Sequence, residues 1–415
     1  MGLLIKNVEL DGEKTDVLIE GNRFKAIGAG LASETAQVVE GEGMAILPTF
    51  VNMHTHASMT LMRSYADDLD LHDWLENHIW PLEEKFDEED IYHGARLACL
   101  EMIKSGTTCF NDMYWHYHGV ARAVEEMGLR AVLSSVFIDL GKSDRGAQQR
   151  ESTIQLHEER KRYSDRIDFA LGPHAIYTVS KESLKWAGRF AEENNLPIHI
   201  HVSETQKEVD DCLALYGLRP VQWLEKIGLL GPNVIAAHAV HVKDEEIGIL
   251  ARNGVKVVHC PASNMKLASG NFLFKKMQAK GVDVSLGTDG CSSNNNLDMM
   301  EEMKIAALQA KVLHNDPKLL PSDTAFEMAT VNGARALGID CGEIAEGKLA
   351  DCMLIDLSNH RLAPGYHLVS DMVYSADNSC IDTVICDGKI LMQGGRVEGE
   401  EEIVAEAQRY KKRFQ

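Results

Sequence analysis

The sequence has no C-x-x-C pair among its nine cysteines, which removes the common structural-zinc and dithiol redox motifs. Most of the thiols sit inside apolar runs, as at Cys99, Cys109 and Cys352. They read as small core residues kept reduced, which fits a cytoplasmic protein. It lacks an uninterrupted apolar run of about 18 residues, so no membrane partner is expected. The opening MGLLIKNVEL reaches an acid at Glu9 before any sustained apolar stretch and does not read as a secretory signal. Positive charge is short: 42 lysines and arginines face 63 aspartates and glutamates, a net charge of -21. Such a surface repels phosphate backbones and argues against nucleic acid as a partner. No internal repeat and no low-complexity tract is present.

What is there is ordinary globular material. Hydrophobic residues make up 45% and charged residues 25%, which sets aside disordered and fibrous classes. Residues 1–48 and 346–398 alternate short apolar runs with turn residues, including the hairpin signal Asp387-Gly388. Residues 399–415 carry Ile403, Ala407, Tyr410 and Phe414 on one helical face. The expected organisation is therefore a small β-sandwich domain with a C-terminal helix from 1–48 and 346–415, around a domain at 49–345.

That middle alternates apolar runs with amphipathic helical patterns. The runs are 45–56, 106–113, 130–138, 168–174, 197–204, 234–240, 255–263 and 282–290. Eight β/α units give an α/β fold of the (β/α)8 TIM-like barrel type, and the count favours it over a doubly wound sheet. One connection, 57–105, is unusually long, carries Trp74, Trp80 and Glu83, and reads as a lid.

Metal-type side chains gather at the carboxyl ends of these runs, where a barrel keeps its chemistry. His54 and His56 close the first run, and their i, i+2 spacing on a strand turns both to one face. His174 closes the fourth, His201 the fifth, His238 the sixth and Asp289 the eighth. His199, two residues before His201, lies one layer deeper and reads as a support for a ligand. His54, His56, His201 and Asp289, three imidazoles and a carboxylate, suit one zinc ion with a position left for water, and iron is compatible with the same donors. The fourth run, ending LGPHAIYT, has no lysine to bridge a second metal, so one ion is expected. His238 is placed to orient or deprotonate the water, and Asp289 to accept a proton. Glu204 follows His201 by three residues and reads as a proton carrier to the substrate; capping the next helix, TQKEVDDC, is its blander role.

Other features read as bland. Gly342 to Lys348 matches a phosphate loop until Leu349, where a hydroxyl residue belongs, and it precedes a strand. His116 and His118 read as packing or surface residues; His241 and His259 stand near strand ends. The H-x-E with P-C-x-x-C pattern of polynucleotide deaminases is absent.

The segments FVNMHTHASMTLMRSYADDLDLHDWL, HIHVSET, AAHAVHV, HCPASNMKLASG and GTDGCSSNNNLDMMEEM resemble the amidohydrolase superfamily. Within it the chain resembles the 5'-methylthioadenosine/S-adenosylhomocysteine deaminases over nearly its whole length. The resemblance implies hydrolytic deamination of adenine nucleosides (5'-methylthioadenosine, S-adenosylhomocysteine, 5'-deoxyadenosine or adenosine) to inosine analogues and ammonia. It implies a single zinc on His54, His56, His201 and Asp289, with His238 assisting the water and Glu204 shuttling a proton to the purine. Glu83, in WPLEEK, is the family's ribose-binding glutamate and His174 its base-contacting histidine; Trp80 joins the expected substrate contacts. Better-studied members carry an arginine on the third strand for the homocysteine carboxylate, where Ser135 stands here. Arg145 and Arg150 are the remaining candidates for that contact, and the loss favours smaller 5'-substituents. Family members often form dimers or tetramers, which extends the expectation of a homo-oligomer. The alternatives are hydrolysis of another N-heterocycle, such as guanine or a triazine, and a non-catalytic metal-binding protein on the same fold.

Overall fold

The computed structural model describes residues 2–414. β1 (Gly2–Leu10), β2 (Glu13–Glu20) and β3 (Arg23–Gly28) form an antiparallel meander. β4 (Gln37–Glu40) and β5 (Met44–Pro48) run parallel to β1. The run 45–56, expected as one strand, is two. Pro48 has no N–H to donate and ends the ladder of β5, and at Thr49 the chain passes into a second sheet.

That sheet is the barrel: β6 (Phe50–Thr55), β7 (Thr107–Met113), β8 (Arg130–Phe137), β9 (Ile167–Pro173), β10 (Ile198–Val202), β11 (Val234–His238), β12 (Lys256–His259) and β13 (Val284–Leu286). Neighbours pair in parallel in that order. Every residue of β6, β7, β10 and β11 is buried, as strands covered on both faces must be. Helices cover the outside; Lys181–Asn194, for example, buries Leu184, Ala187 and Ala191. β13 is too short to ladder fully with β6, and a side chain completes the closure. Asn52 donates to Thr288 Oγ1 at 2.7 Å and accepts the Thr288 N–H at 3.0 Å, while the Asp289 N–H bonds the His54 carbonyl at 2.9 Å.

The chain's second end returns to the first. β14 (Cys352–Asp356) lies antiparallel to β5, followed by β15 (Ile381–Cys386), β16 (Lys389–Gln393) and β17 (Arg396–Val397), making one mixed sheet of nine strands. The β15–β16 turn has Asp387 and Gly388 both at positive φ, the backbone that an Asp-Gly hairpin supplies. The sheet has its own core around Ile5, Val17, Ile19, Phe24 and Leu354. Arg130, at the start of β8, pins it to the barrel by pairing with Asp351 at 2.7 Å and with Asp387. The sheet thus occupies the amino-terminal side of the barrel and leaves the carboxyl ends free. The terminal helix Glu400–Phe414 packs on helix Glu88–Lys104 with Ile403 buried; the side chain of Phe414 lies outside the described residues.

All nine cysteines are free and buried. Among the described residues no helix is long and apolar enough to cross a membrane. Lys348 pairs with Asp340 and Glu343, which leaves it bound within its own turn.

Candidate active site

Strand alternation places His54 and His56 on the barrel's inner face while Thr55 turns away to Asp112, its Oγ1 donating to the carboxylate at 2.9 Å. His54 Nε2 lies 3.4 Å and His56 Nε2 3.2 Å from Asp289 Oδ1. His201 Nε2 is 3.3 Å from His56 Nε2, and the His238 ring stacks 5.4 Å from that of His201. Ligand atoms of His54, His56 and Asp289 lie within 4.8 Å of one another, as do those of His54, His201 and His238. His54, His56, His201, His238 and Asp289 therefore meet in one place. Asp289 and His238 both sit at positive φ, a strain that is rare outside sites that need it.

The rings are aimed. His56 Nδ1 meets the Met113 carbonyl at 2.7 Å and His201 Nδ1 the His174 carbonyl at 2.7 Å, so each donates from Nδ1 and turns Nε2 towards the cluster. His54 Nδ1 faces His199 Nε2 at 2.7 Å, which gives the deeper histidine a supporting contact. His54 Nε2 is buried with no hydrogen-bond partner. An orphaned imidazole nitrogen among three other inward donors fits a metal ion. Burial drives His54 down to about 4 against the pull of Asp289, so its ring is neutral, as a ligand must be. Burial alone would lower His56, but hydrogen bonding and charge from Asp289 outweigh it and raise it to about 9. Burial alone would raise Asp289, yet His54 and His56 hold it well below the usual carboxylate range.

Glu204 lies beside this cluster, its Oε2 3.8 Å from His238 Nε2. Thr205, not Glu204, caps the helix Gln206–Tyr216, so the cap role belongs to the neighbour. The buried Glu208 carboxylate accepts the N–H of Ser203 at 2.9 Å and of Glu204 at 2.8 Å. Burial raises the Glu204 carboxyl above its ordinary range, with His238 pulling down and Asp289 pushing up.

Above the cluster is a cavity that Glu204, His238, His174, Trp80 and Glu83 all line. Glu83 accepts from Trp115 Nε1 at 3.4 Å; burial raises its carboxyl while Tyr114 and Trp115 pull it down. His174 Nδ1 is bonded to Thr178 Oγ1 at 2.9 Å, and burial lowers the ring to about 3, so it is neutral. Leu71, Trp74, Leu75, Val136, Ile138 and Leu267 give it apolar walls, and Tyr114, Tyr177 and Ser293 also line it. Among the described residues no lysine or arginine lines the cavity. Arg150 is not brought to it. It lies on the helix Ser143–Glu159 and bonds Ser183 Oγ at 3.1 Å, because that face of the helix turns outward. Arg145 does not line it either. Ser135 points to Thr153 at 2.8 Å on the same helix, and its neighbour Val136 makes the wall.

Four contributors had gone unnoticed in the sequence. Tyr114 and Trp115 surround Glu83. Ser263 Oγ donates to Asp289 Oδ2 at 2.6 Å, and Asn264 Oδ1 faces His238 Nδ1 at 2.9 Å. The signal available for the last two was HCPASN, two polar residues straight after a buried strand end. His259, by contrast, stacks on Phe272 at 4.2 Å, and His118 is taken by Glu159 and Tyr163.

A (β/α)8 barrel with converging imidazoles and a carboxylate at its strand ends defines a metal-binding hydrolase architecture. This chain belongs to the amidohydrolase family, which it matches over residues 45–391. It is similar to a 5'-deoxyadenosine deaminase of Methanothermobacter thermautotrophicus, 51% identical over 93% of this chain and 91% of that protein. It is similar to a 5-methylthioadenosine/S-adenosylhomocysteine deaminase of Archaeoglobus fulgidus, 46% identical over 96% of this chain and 95% of that protein. Among solved structures, an adenosine deaminase from Xanthomonas campestris with bound zinc has a TM-score of 0.92 and 35% identity, covering 99% of this chain and 98% of that one.

Proposed function

We propose that the protein hydrolyses the exocyclic amine of adenine nucleosides, giving inosine analogues and ammonia, with a 5'-end that is small and uncharged. The observation that carries this reading is one cavity in which Glu83 and Glu204 stand apart around a histidine and aspartate cluster. The names of the relatives and the zinc of the Xanthomonas structure support it.

His54, His56, His201 and Asp289 would hold a single zinc ion. A metal there supplies Lewis acidity, which makes water a nucleophile near neutral pH. The chain's own groups do the rest. His238 orients the water, and Asp289 takes up its proton. Glu204, whose carboxyl burial raises above its ordinary range, donates to N1 of the purine as water adds at C6. On collapse the C6–N bond breaks as Asp289 passes its proton to the leaving amine, and the new C6 hydroxyl returns a proton to Glu204, leaving the inosine carbonyl and ammonia. His174 contacts the base. Glu83 accepts from both ribose hydroxyls, a task for which a carboxylate has the lone pairs; guanine and triazines offer no such partner. Leu71, Leu75, Val136 and Ile138 give a 5'-methylthio or 5'-deoxy group an apolar wall, with no cation for a homocysteine carboxylate.

The test is loss of adenine absorbance with matching ammonia release from 5'-deoxyadenosine, 5'-methylthioadenosine, adenosine and S-adenosylhomocysteine. We expect S-adenosylhomocysteine to trail the first two by roughly ten- to a hundredfold in kcat/KM, the worth of a hydrogen bond to a charged group. No spectral change and no ammonia with any of the four would end the proposal.

A further inference from the structure

The motif HCPASN runs from the last residue of β12 into the short helix Pro261–Lys266, and the catalytic scheme above leaves its polar residues without a task. Its two polar residues are adjacent, buried, and reach in different directions. Ser263 Oγ holds Asp289 Oδ2 at 2.6 Å; Asn264 Oδ1 meets His238 Nδ1 at 2.9 Å. The segment is itself clamped. The Ala262 N–H donates to Glu302 Oε2 at 3.1 Å, and the same buried carboxylate accepts from Asn294 Nδ2 at 2.6 Å in the loop after β13. The turn after one strand is thus fixed to the turn after the next, with the two reactive groups between them.

We propose that Ser263 and Asn264 are positioning residues that set which atoms of Asp289 and His238 face the substrate. A carboxylate has two equivalent oxygens, and a neutral imidazole two tautomers, so burial alone specifies neither. Ser263 occupies Oδ2, while Oδ1 accepts the Gly290 N–H at 2.8 Å and faces the histidines. The Asn264 carbonyl takes the proton on Nδ1 and leaves Nε2 of His238 as a lone pair turned to the cavity, beside Glu204. Only that tautomer can accept a hydrogen bond from water. Asn264 Nδ2 has no partner, so the amide is held by this one contact and an aspartate can replace it. This inference rests on the deaminase reading for its kinetics but not for its structural part.

Three measurements test it. In zinc-loaded wild type labelled with nitrogen-15 in its histidine rings, His238 carries its proton on Nδ1 (assigned by the signal lost in His238→Gln). A proton on Nε2 overturns the proposal, whether or not any nucleoside is deaminated. Asn264→Ala lowers kcat by about ten- to a hundredfold, the usual cost of losing a partner behind an active imidazole, and Asn264→Asp recovers most of it. KM and zinc content stay near wild type. Turnover unchanged in Asn264→Ala, or no better in Asn264→Asp, overturns it. Ser263→Ala loses zinc to a chelator about ten- to a hundredfold more readily, and Ser263→Thr does not. Equal retention in all three proteins overturns the serine's role. A wild type that turns over no adenine nucleoside would end the functional reading alone, since the labelled spectrum and zinc retention still decide this one.

Discussion

The floor and the cover of the cavity are built on different principles. The floor comes from strand ends, and each of its rings is tied to a buried acceptor: His56 to the Met113 carbonyl, His201 to that of His174, His238 to Asn264. The cover comes from the segment between residues 63 and 87. It is made of the short helices Leu71–Trp74 and Trp80–Glu83 around a π turn, Leu75–Ile79, and none of the three has a side-chain cap. Its ties are partly exposed. Lys266 Nζ lies 2.6 Å from Asp67 at one end, where Ser64 and Asp68 both take positive φ. Leaving a buried group without its partner costs about 1–3 kcal/mol, whereas an exposed ion pair contributes about 1 kcal/mol or less. The floor is thus fixed by buried polar contacts, while the cover is held by the packing of Trp74, Ile79 and Leu82 and fastened at its edge by a partly exposed ion pair.

The sharpest way to break this comparison is at the floor's centre. His201→Ala removes one donor, and we expect zinc to fall well below one ion per chain, with activity lost and not restored by dialysis against zinc. Chelator-treated wild type, in contrast, regains activity with zinc. Elemental analysis beside the ammonia assay reads both. Full metal content in His201→Ala would mean that His238 and the other donors suffice, and the ligand set would have to be redrawn.

Next in size is Glu204→Gln, which keeps shape and metal but has no proton to give. A general acid contributes about 10²- to 10⁴-fold, and kcat should drop by that range. The sign of the pH dependence follows from burial. Because the Glu204 carboxyl is raised, its reactive protonated form persists to higher pH than an ordinary glutamic acid, and kcat falls as pH rises through that point. The falling limb should disappear from the residual activity of Glu204→Gln. A limb that survives unchanged assigns the titration to another group.

How much of this was legible in the sequence follows the same division. Strand ends carry period-two alternation, so His54 and His56 could be placed on one face, and the eight runs marked where the other groups stand. What failed lacks a period. β13 has three residues, and the barrel closes through Asn52, an asparagine that looks like any other in sequence. Ser263 and Asn264 act from a helix of six residues, too short to show a period. The third strand shows the cost of one residue: Ser135 faces a helix and Val136 the cavity, since neighbours on a strand point oppositely. Whether Arg150 reaches the substrate depended on how one helix is rotated on the barrel, which is a property of packing. The break at Pro48 was visible as a proline within a strand pattern.

Glu83 stands at the border of the two regions, carried by the cover and half-buried. Glu83→Ala removes one acceptor for two ribose hydroxyls. We expect kcat/KM for nucleosides to fall by about ten- to a hundredfold, mostly in KM, from the worth of hydrogen bonds to a charged group. Turnover of free adenine, however slow in wild type, should be spared. Equal losses with base and nucleoside would move Glu83 out of the ribose contact and into support of the fold.

The smallest effect belongs to the pair that fastens the cover. Asp67→Asn keeps the size of the side chain and removes the charge that Lys266 meets. Since both partners are partly exposed, the pair holds the cover by about 1 kcal/mol or less, and KM should rise by no more than about fivefold. The chemical step is made by floor residues that do not touch Asp67, so kcat in single turnover should stay at the wild-type value. Raising salt should weaken wild type towards the variant and leave the variant itself little changed, because screening acts on the charge pair. A loss in the single-turnover rate would show that the cover transmits its position to the floor. The helix Pro261–Lys266, which carries Ser263 and Asn264 at one end and Lys266 at the other, is the element through which it would do so.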